Sequence, residues 1–126
     1  MHAVDTNVLV RLVTGDDEKQ EIVARAFVKN GVWVSHVVLA ETVWVLGGSY
    51  SLDHEEIAGV IDMLIDHESV TLQDAEVVER ALELYRHRPS LGFSDCMVLE
   101  IARKAGHLPL GTFDRNLSKI DGAERL

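Results

Sequence analysis

The sequence holds one cysteine, Cys96, among its 126 residues. A single thiol cannot close an internal disulfide, so nothing points to an oxidising compartment. Long apolar runs are missing too. The most apolar stretch, Val37 to Leu46, is broken by Glu41 and is too short to span a bilayer. No basic segment followed by an extended apolar one opens the chain, so no secretory leader and no membrane partner are expected, and the expected compartment is cytoplasmic. Repeats, low-complexity tracts and linkers are absent, which leaves one domain over residues 1–126 as the expectation. Positive charge is scarce: 12 Lys and Arg stand against 21 Asp and Glu, a net charge of −9. That balance excludes a broad basic face for nucleic acid. Any such chemistry must use a localised site, where bound divalent cations would offset the acids. The histidines (residues 2, 36, 54, 67, 87 and 107) show no metal-like spacing, which argues against zinc.

What is present is a globular composition, 47% hydrophobic and 26% charged, which argues against disorder. The patterning alternates short strands with helices. A first strand is expected at Ala3 to Asp5, then an apolar helix from Thr6 to Thr14 closed by Gly15. Asp16 or Asp17 can cap a second helix running to Asn30-Gly31. Val32 to Ser35 has strand chemistry, with branched and aromatic residues. Val37 to Leu46 reads as a helix stopped by Gly47-Gly48. The stretch SLDHEEIAGVIDMLIDHES is amphipathic, with Ile57, Ile61, Leu64 and Ile65 at helical spacing. A strand at Val70 to Leu72 precedes a helix in DAEVVERALELYRHR, with Asp74 as its cap and Pro89 beyond its end. Phe93 to Ala105 is helical with Met97, Val98, Ile101 and Ala102 as its inner face, and it stops at Gly106. Leu108 to Phe113 is a strand, and the tail can add a last one. Such alternation implies parallel β-α-β units with right-handed crossovers, an α/β domain of three layers, α/β/α. Ligands in such sheets sit beyond the carboxyl ends of the strands.

Four acids stand out against this pattern. Glu41 is the one charge in VVLAETVWVL, a helix apolar on nearly every face and therefore expected to be buried, where an ionised carboxylate needs a partner or a metal. An exposed stripe or a salt bridge is the plain alternative. Asp5 lies at the end of the first strand, Asp95 in the first turn of the helix GFSDCMVLEIARKAG, and Asp114 just past PLGTF. Taken singly, Asp95 and Asp114 each read as a helix cap rather than a ligand, with Ser94 as a competing cap beside Asp95. Taken together, carboxylates gathered from four segments would repel one another and raise each other's pKa. Hard divalent cations such as Mg²⁺ or Mn²⁺ relieve that repulsion, and they suit phosphodiester hydrolysis. Trp33 and Trp44 sit among branched residues and are expected in the core. Cys96 reads as packing, with no His near it in sequence.

The segments VDTNVLV, LAETVWVL, FSDCMVLEIARKAGHLPL and TFDRNL, in that order, resemble a PIN domain, and the short length is similar to VapC-type toxins of toxin–antitoxin pairs. The resemblance implies a PIN-like fold with a short, mostly parallel sheet of four or five strands. It implies an endoribonuclease dependent on Mg²⁺ or Mn²⁺, with one or two ions on Asp5, Glu41, Asp95 and Asp114, acting as the toxin of a type II pair. Thr6 and Asn7 match the polar pair after the first acid, and Thr112 matches the hydroxyl before the last. Physically, Asn7 and Thr112 can orient a carboxylate or a metal-bound water. Arg11 and Arg115, with Arg103 and Lys104, can meet RNA phosphates or serve as ordinary surface charges. The partners implied are RNA, a cognate antitoxin and a second copy of the chain. The apolar stripes of the helices at Glu18–Asn30 and Asp53–Glu68 can form the antitoxin groove. Two rivals fit less well. A phosphoacceptor receiver domain lacks its acidic pair at the first strand, and a haloacid-dehalogenase-type phosphatase lacks the second acid of Asp-x-Asp, since Asn7 stands there. A PIN domain with a housekeeping RNA-processing role is the nearer alternative.

Overall fold

The computed structural model describes residues 1–126, and its contacts divide into two compact units, Met1–Ala75 and Glu76–Leu126. In the first unit the order is β1 (His2–Ala3), α1 (Thr6–Thr14), α2 (Glu18–Val28), β2 (Val32–Val34), α3 (His36–Gly48), α4 (His54–Asp66) and β3 (Val70–Leu72). The strands pair in parallel in the order β1-β2-β3, with Ala3 opposite Trp33 and Val34 opposite Leu72. Parallel pairing requires a crossover connection between successive neighbours, here helical, and α1 packs against both α2 and α3. The interior is aliphatic: Leu9, Val10, Val32, Val34, Leu39, Leu46, Ile61 and Leu64 are all essentially without exposure.

Local chemistry sets the element ends. Asp5, Asp17, Ser35 and Asp53 are N-caps whose side chains accept backbone N–H groups, and Asp53 forms a capping box with Glu56. Gly15 ends α1 in the left-handed region, at φ 61°, where a side chain would be strained and its Cβ would lie 2.6 Å from Glu21. β1 is shorter than expected because Asp5 already caps the following helix. α3 runs on through Gly47-Gly48, since its cap residue Ser49 still donates its N–H to Val45 O.

The second unit contains α5 (Ala75–His87), α6 (Phe93–Ala105), β4 (Leu110–Thr112), a 3-10 turn at Leu117–Lys119 and β5 (Ala123–Arg125). The tail does form the last strand. β4 and β5 pair in parallel as a separate two-stranded ladder, so the five strands group as three and two rather than in one ladder. Val77, Val78, Ala81, Tyr85, Phe93, Cys96, Met97, Leu99 and Leu117 fill its interior. Asp74 does not take the extended backbone of an N-cap; its φ is 42°.

Three packing expectations fail. The buried face of α6 is Phe93, Cys96, Met97, Leu99 and Glu100, whereas Val98 and Ile101 are exposed and Ala102 is half-buried. Trp33 is 38% exposed and Trp44 80% exposed, so neither belongs to the core. α3 buries only Leu39, Thr42, Val43 and Leu46, spaced as one helical stripe, and leaves Val37, Glu41 and Trp44 in solvent. A helix apolar all round looks buried all round in sequence, but here only one of its faces finds a partner. No helix is long and apolar enough to cross a membrane.

Candidate active site

In the first unit the site residues come from the β1–α1 junction and from α3. Asp5 sits in extended backbone and its Oδ1 accepts the Val8 N–H at 3.2 Å, so its role as a cap is real. Thr6, the first helical residue, is buried, and its Oγ1 donates to Glu41 Oε1 across the α1–α3 contact. Glu41 is therefore exposed rather than buried, and its partner is a hydroxyl rather than a base. Asn7 is exposed and lines, with Asp5, a groove of about 620 Å³ along β1, α1 and α2. The groove wall also carries Val8, Arg11, Val23 and Phe27, and α4 contributes nothing to it.

Arg11 is less available than its position suggested. Its Nε donates to Gln20 Oε1 at 2.6 Å, and one terminal nitrogen meets Asp16 at 3.1 Å and the Tyr50 hydroxyl at 3.3 Å. The Tyr50 hydroxyl also donates to Asp16. The Tyr50 and Thr14 hydrogen bonds, and then Arg11, hold Asp16 below the usual carboxylate range. This cluster ties the end of α1 to the start of α2 and to the segment after α3.

In the second unit Gly92 is the N-cap of α6 and supplies no side-chain bond, so neither Ser94 nor Asp95 caps this helix. The Asp95 side chain makes no hydrogen bond, and its pKa is raised, first by burial and then by the charge of Asp114. Asp114 follows β4, where its N–H donates to Thr112 Oγ1 at 3.0 Å and its Oδ1 accepts the Leu117 N–H at 2.8 Å. Thr112 thus fixes the backbone of Asp114, and Asp114 caps the 3-10 turn as the plain reading allowed. Arg115 is exposed and forms no ion pair. Cys96, beside Asp95, is fully buried, and burial followed by the Asp95 and Glu100 charges pushes its thiol up to about 12. That thiol is inert packing, as expected.

The structure therefore brings Thr6 to Glu41, and Asp95 under the influence of Asp114. No three His, Cys, Asp or Glu side chains gather closely enough to hold a metal ion by themselves. The donor chemistry still suits a hard cation. Asp5, Glu41 and Asp114 each commit one carboxylate oxygen to a hydrogen bond and keep the other free, and Asp95 keeps both. Burial first and the Asp114 charge second disfavour the ionised form of Asp95, and a bound cation would offset both.

Sequence reasoning missed one pair. Glu100 is only 8% exposed and accepts from Arg103 Nε through both oxygens, at 3.3 and 3.4 Å, while Arg103 also donates to Asp121 O at 2.6 Å. Arg103 is thus a brace from α6 to the turn before β5, not an RNA contact. The signal was available: Phe93, Met97 and Glu100 recur at helical spacing, which places Glu100 on the buried face.

A VapC ribonuclease from Aquifex aeolicus is 26% identical to this chain over 125 residues, covering 95% of this chain and 92% of the relative. The solved structure of Mycobacterium tuberculosis VapC20, described as a toxin that cleaves the sarcin–ricin loop, is 20% identical with a TM-score of 0.44 and covers 98% of both chains. The PIN domain model matches residues 3–123, which takes in all four acids and leaves the receiver and phosphatase alternatives without support. Matched over nearly its whole length, the chain belongs to the PIN domain family.

Proposed function

We propose that this chain is a metal-dependent endoribonuclease that hydrolyses RNA phosphodiester bonds and acts as the toxin of a type II toxin–antitoxin pair. The observation that carries the reading is the PIN domain match over residues 3–123, which takes in all four acids, together with the VapC ribonuclease relative. Asp5, Glu41, Asp95 and Asp114 are the proposed ligands for Mg²⁺ or Mn²⁺, one ion or two. When bound, such an ion activates a water and offsets charge on the phosphodiester. Thr6 holds the Glu41 carboxylate, Thr112 holds the Asp114 backbone, and Asn7 supplies a neutral amide beside Asp5. Arg115, whose guanidinium is uncommitted where that of Arg11 is not, is the proposed phosphate contact.

An antitoxin is the proposed protein partner. The apolar groove between α1 and α2, with Val23 and Phe27 exposed and Asp5 and Asn7 in its wall, suits an apolar segment that carries a base towards Asp5. A homodimer is part of the same reading, supported by the solvent-facing Val37 and Trp44 of α3. In the test, purified protein is incubated with total RNA. Cleavage should vanish in EDTA, return with Mg²⁺ or Mn²⁺, and be lost in Asp5→Asn with the melting temperature kept near that of the parent. Growth arrest on expression, relieved by the product of an adjacent small reading frame, separates the toxin from a housekeeping nuclease. Cleavage by Asp5→Asn at the parental rate would refute the site.

A further inference from the structure

Aromatic residues make up only 6% of this chain, and Phe113, directly before Asp114, is 80% exposed. A loose loop would account for such a ring, but this loop is held on both sides. Thr112 O accepts the Leu126 N–H at 2.9 Å, and Thr112 Oγ1 accepts the Asp114 N–H. Beyond the ring, Asp114 O accepts the Ser118 N–H at 3.0 Å and Arg115 O accepts the Ser118 hydroxyl at 2.8 Å. The buried Leu117 and Ile120 anchor the following turn. Phe113 makes no ring contact within the protein and is presented to solvent from a fixed backbone. Arg115, two residues on, is also exposed and carries no ion pair, in a chain whose acids outnumber its bases.

From this arrangement we propose that Phe113 is a stacking platform for one base of single-stranded RNA, with Arg115 taking a neighbouring phosphate. The proposal rests on the nuclease reading of Asp95 and Asp114 and deepens it by naming what holds the strand beside them. An apolar protein surface laid over Phe113 would strip water from Asp114 and Arg115 without partnering them. A nucleotide offers both partners at once, a π-face for the ring and an anionic oxygen for the guanidinium. Stacking tolerates any base, which suits a contact that holds the strand rather than reading its sequence.

The experiment measures binding in EDTA and cleavage with Mg²⁺, each with a fluorescein-labelled 20-nucleotide single-stranded RNA of mixed sequence and the full chain. Phe113→Ala should weaken binding by about 5- to 150-fold, the worth of one stacked base. It should raise KM more than it lowers kcat and leave the melting temperature unchanged. Phe113→Trp should retain affinity, and its added indole emission, read against the parent, should be quenched by the RNA. Phe113→Leu keeps apolar bulk without a π-face and should fail as Phe113→Ala does. Parental affinity in Phe113→Ala or Phe113→Leu would overturn stacking, and with cleavage intact it would leave the nuclease reading standing. RNA binding lost in Phe113→Ala, with no cleavage by any variant, would support stacking and overturn the nuclease. A parent that neither binds nor cleaves this RNA would overturn both. Loss of antitoxin binding with RNA affinity unchanged would assign the ring to the protein partner instead.

Discussion

Replacing Thr6 by Val keeps shape and branching and removes only the hydroxyl that donates to Glu41. A hydrogen bond to a charged group is worth about 1.5–3 kcal/mol in a typical mutational series. Glu41 is exposed, however, so water takes the place of the lost donor, and the cost falls to about 1 kcal/mol. For a chain of this length that is a fall in melting temperature of roughly 3–5 °C. At 25 °C such a loss leaves the folded fraction essentially complete, given a typical domain stability of about 5–15 kcal/mol. If Thr6 merely braced α1 against α3, RNA cleavage at 25 °C would therefore be unchanged. If it orients a ligand carboxylate, cleavage should fall about 10- to 100-fold, as for other groups that position a metal ligand. Thr6→Ser restores the hydroxyl and should recover cleavage and most of the stability. The assay pairs thermal unfolding in EDTA with cleavage at saturating Mg²⁺. Cleavage by Thr6→Val within about twofold of the parent, alongside the expected stability loss, would refute the orienting role.

Asp95→Asn should abolish cleavage and yet stabilise the metal-free protein at pH 7. The folded state raises the Asp95 pKa, through burial and then Asp114, so the contribution of Asp95 to stability is present at low pH and lost as pH rises through the folded value. The gain in melting temperature over the parent should shrink to nothing towards pH 3, where the parent carboxyl is also neutral, and a drop at pH 7 would contradict the sign. Arg103→Met should cost about 2–3 kcal/mol in urea unfolding, below the full penalty for breaking a buried pair because Arg103 is partly open to water. A loss under about 0.5 kcal/mol would show the brace to be idle, since that is the range of an ordinary surface substitution.

The element pattern was legible because short-range chemistry governs it. Thr6–Thr14, Val70–Leu72 and Phe93–Ala105 were readable to the residue from caps, branched runs and glycine stops. The four acids were legible as residues that fit poorly with their segments. What they touch was not. Sequence alone read Asp95 and Asp114 singly as caps, and the structure separates them: Asp114 Oδ1 accepts an N–H of the following turn, whereas Asp95 caps nothing and is disfavoured as an ion by burial and then by its neighbour's charge.

Burial of α3 was misread for a related reason. Hydropathy reports what a face could bury, and only packing partners report what it does, so Glu41 and Trp44 stand in solvent on a helix whose composition suggests a core. The donor to Glu41 lies 35 residues away, and the brace from Arg103 to Asp121 spans 18. The sequence by itself determined the alternation of strands and helices, many of their ends, and the four acids proposed as ligands, because backbone propensity, capping and side-chain chemistry act within a few residues. Only the tertiary structure decided which apolar face is covered, which arginine is spent on a carboxylate, and which acid is left with an unfavourable charge. Those depend on contacts between distant segments, which no local pattern encodes.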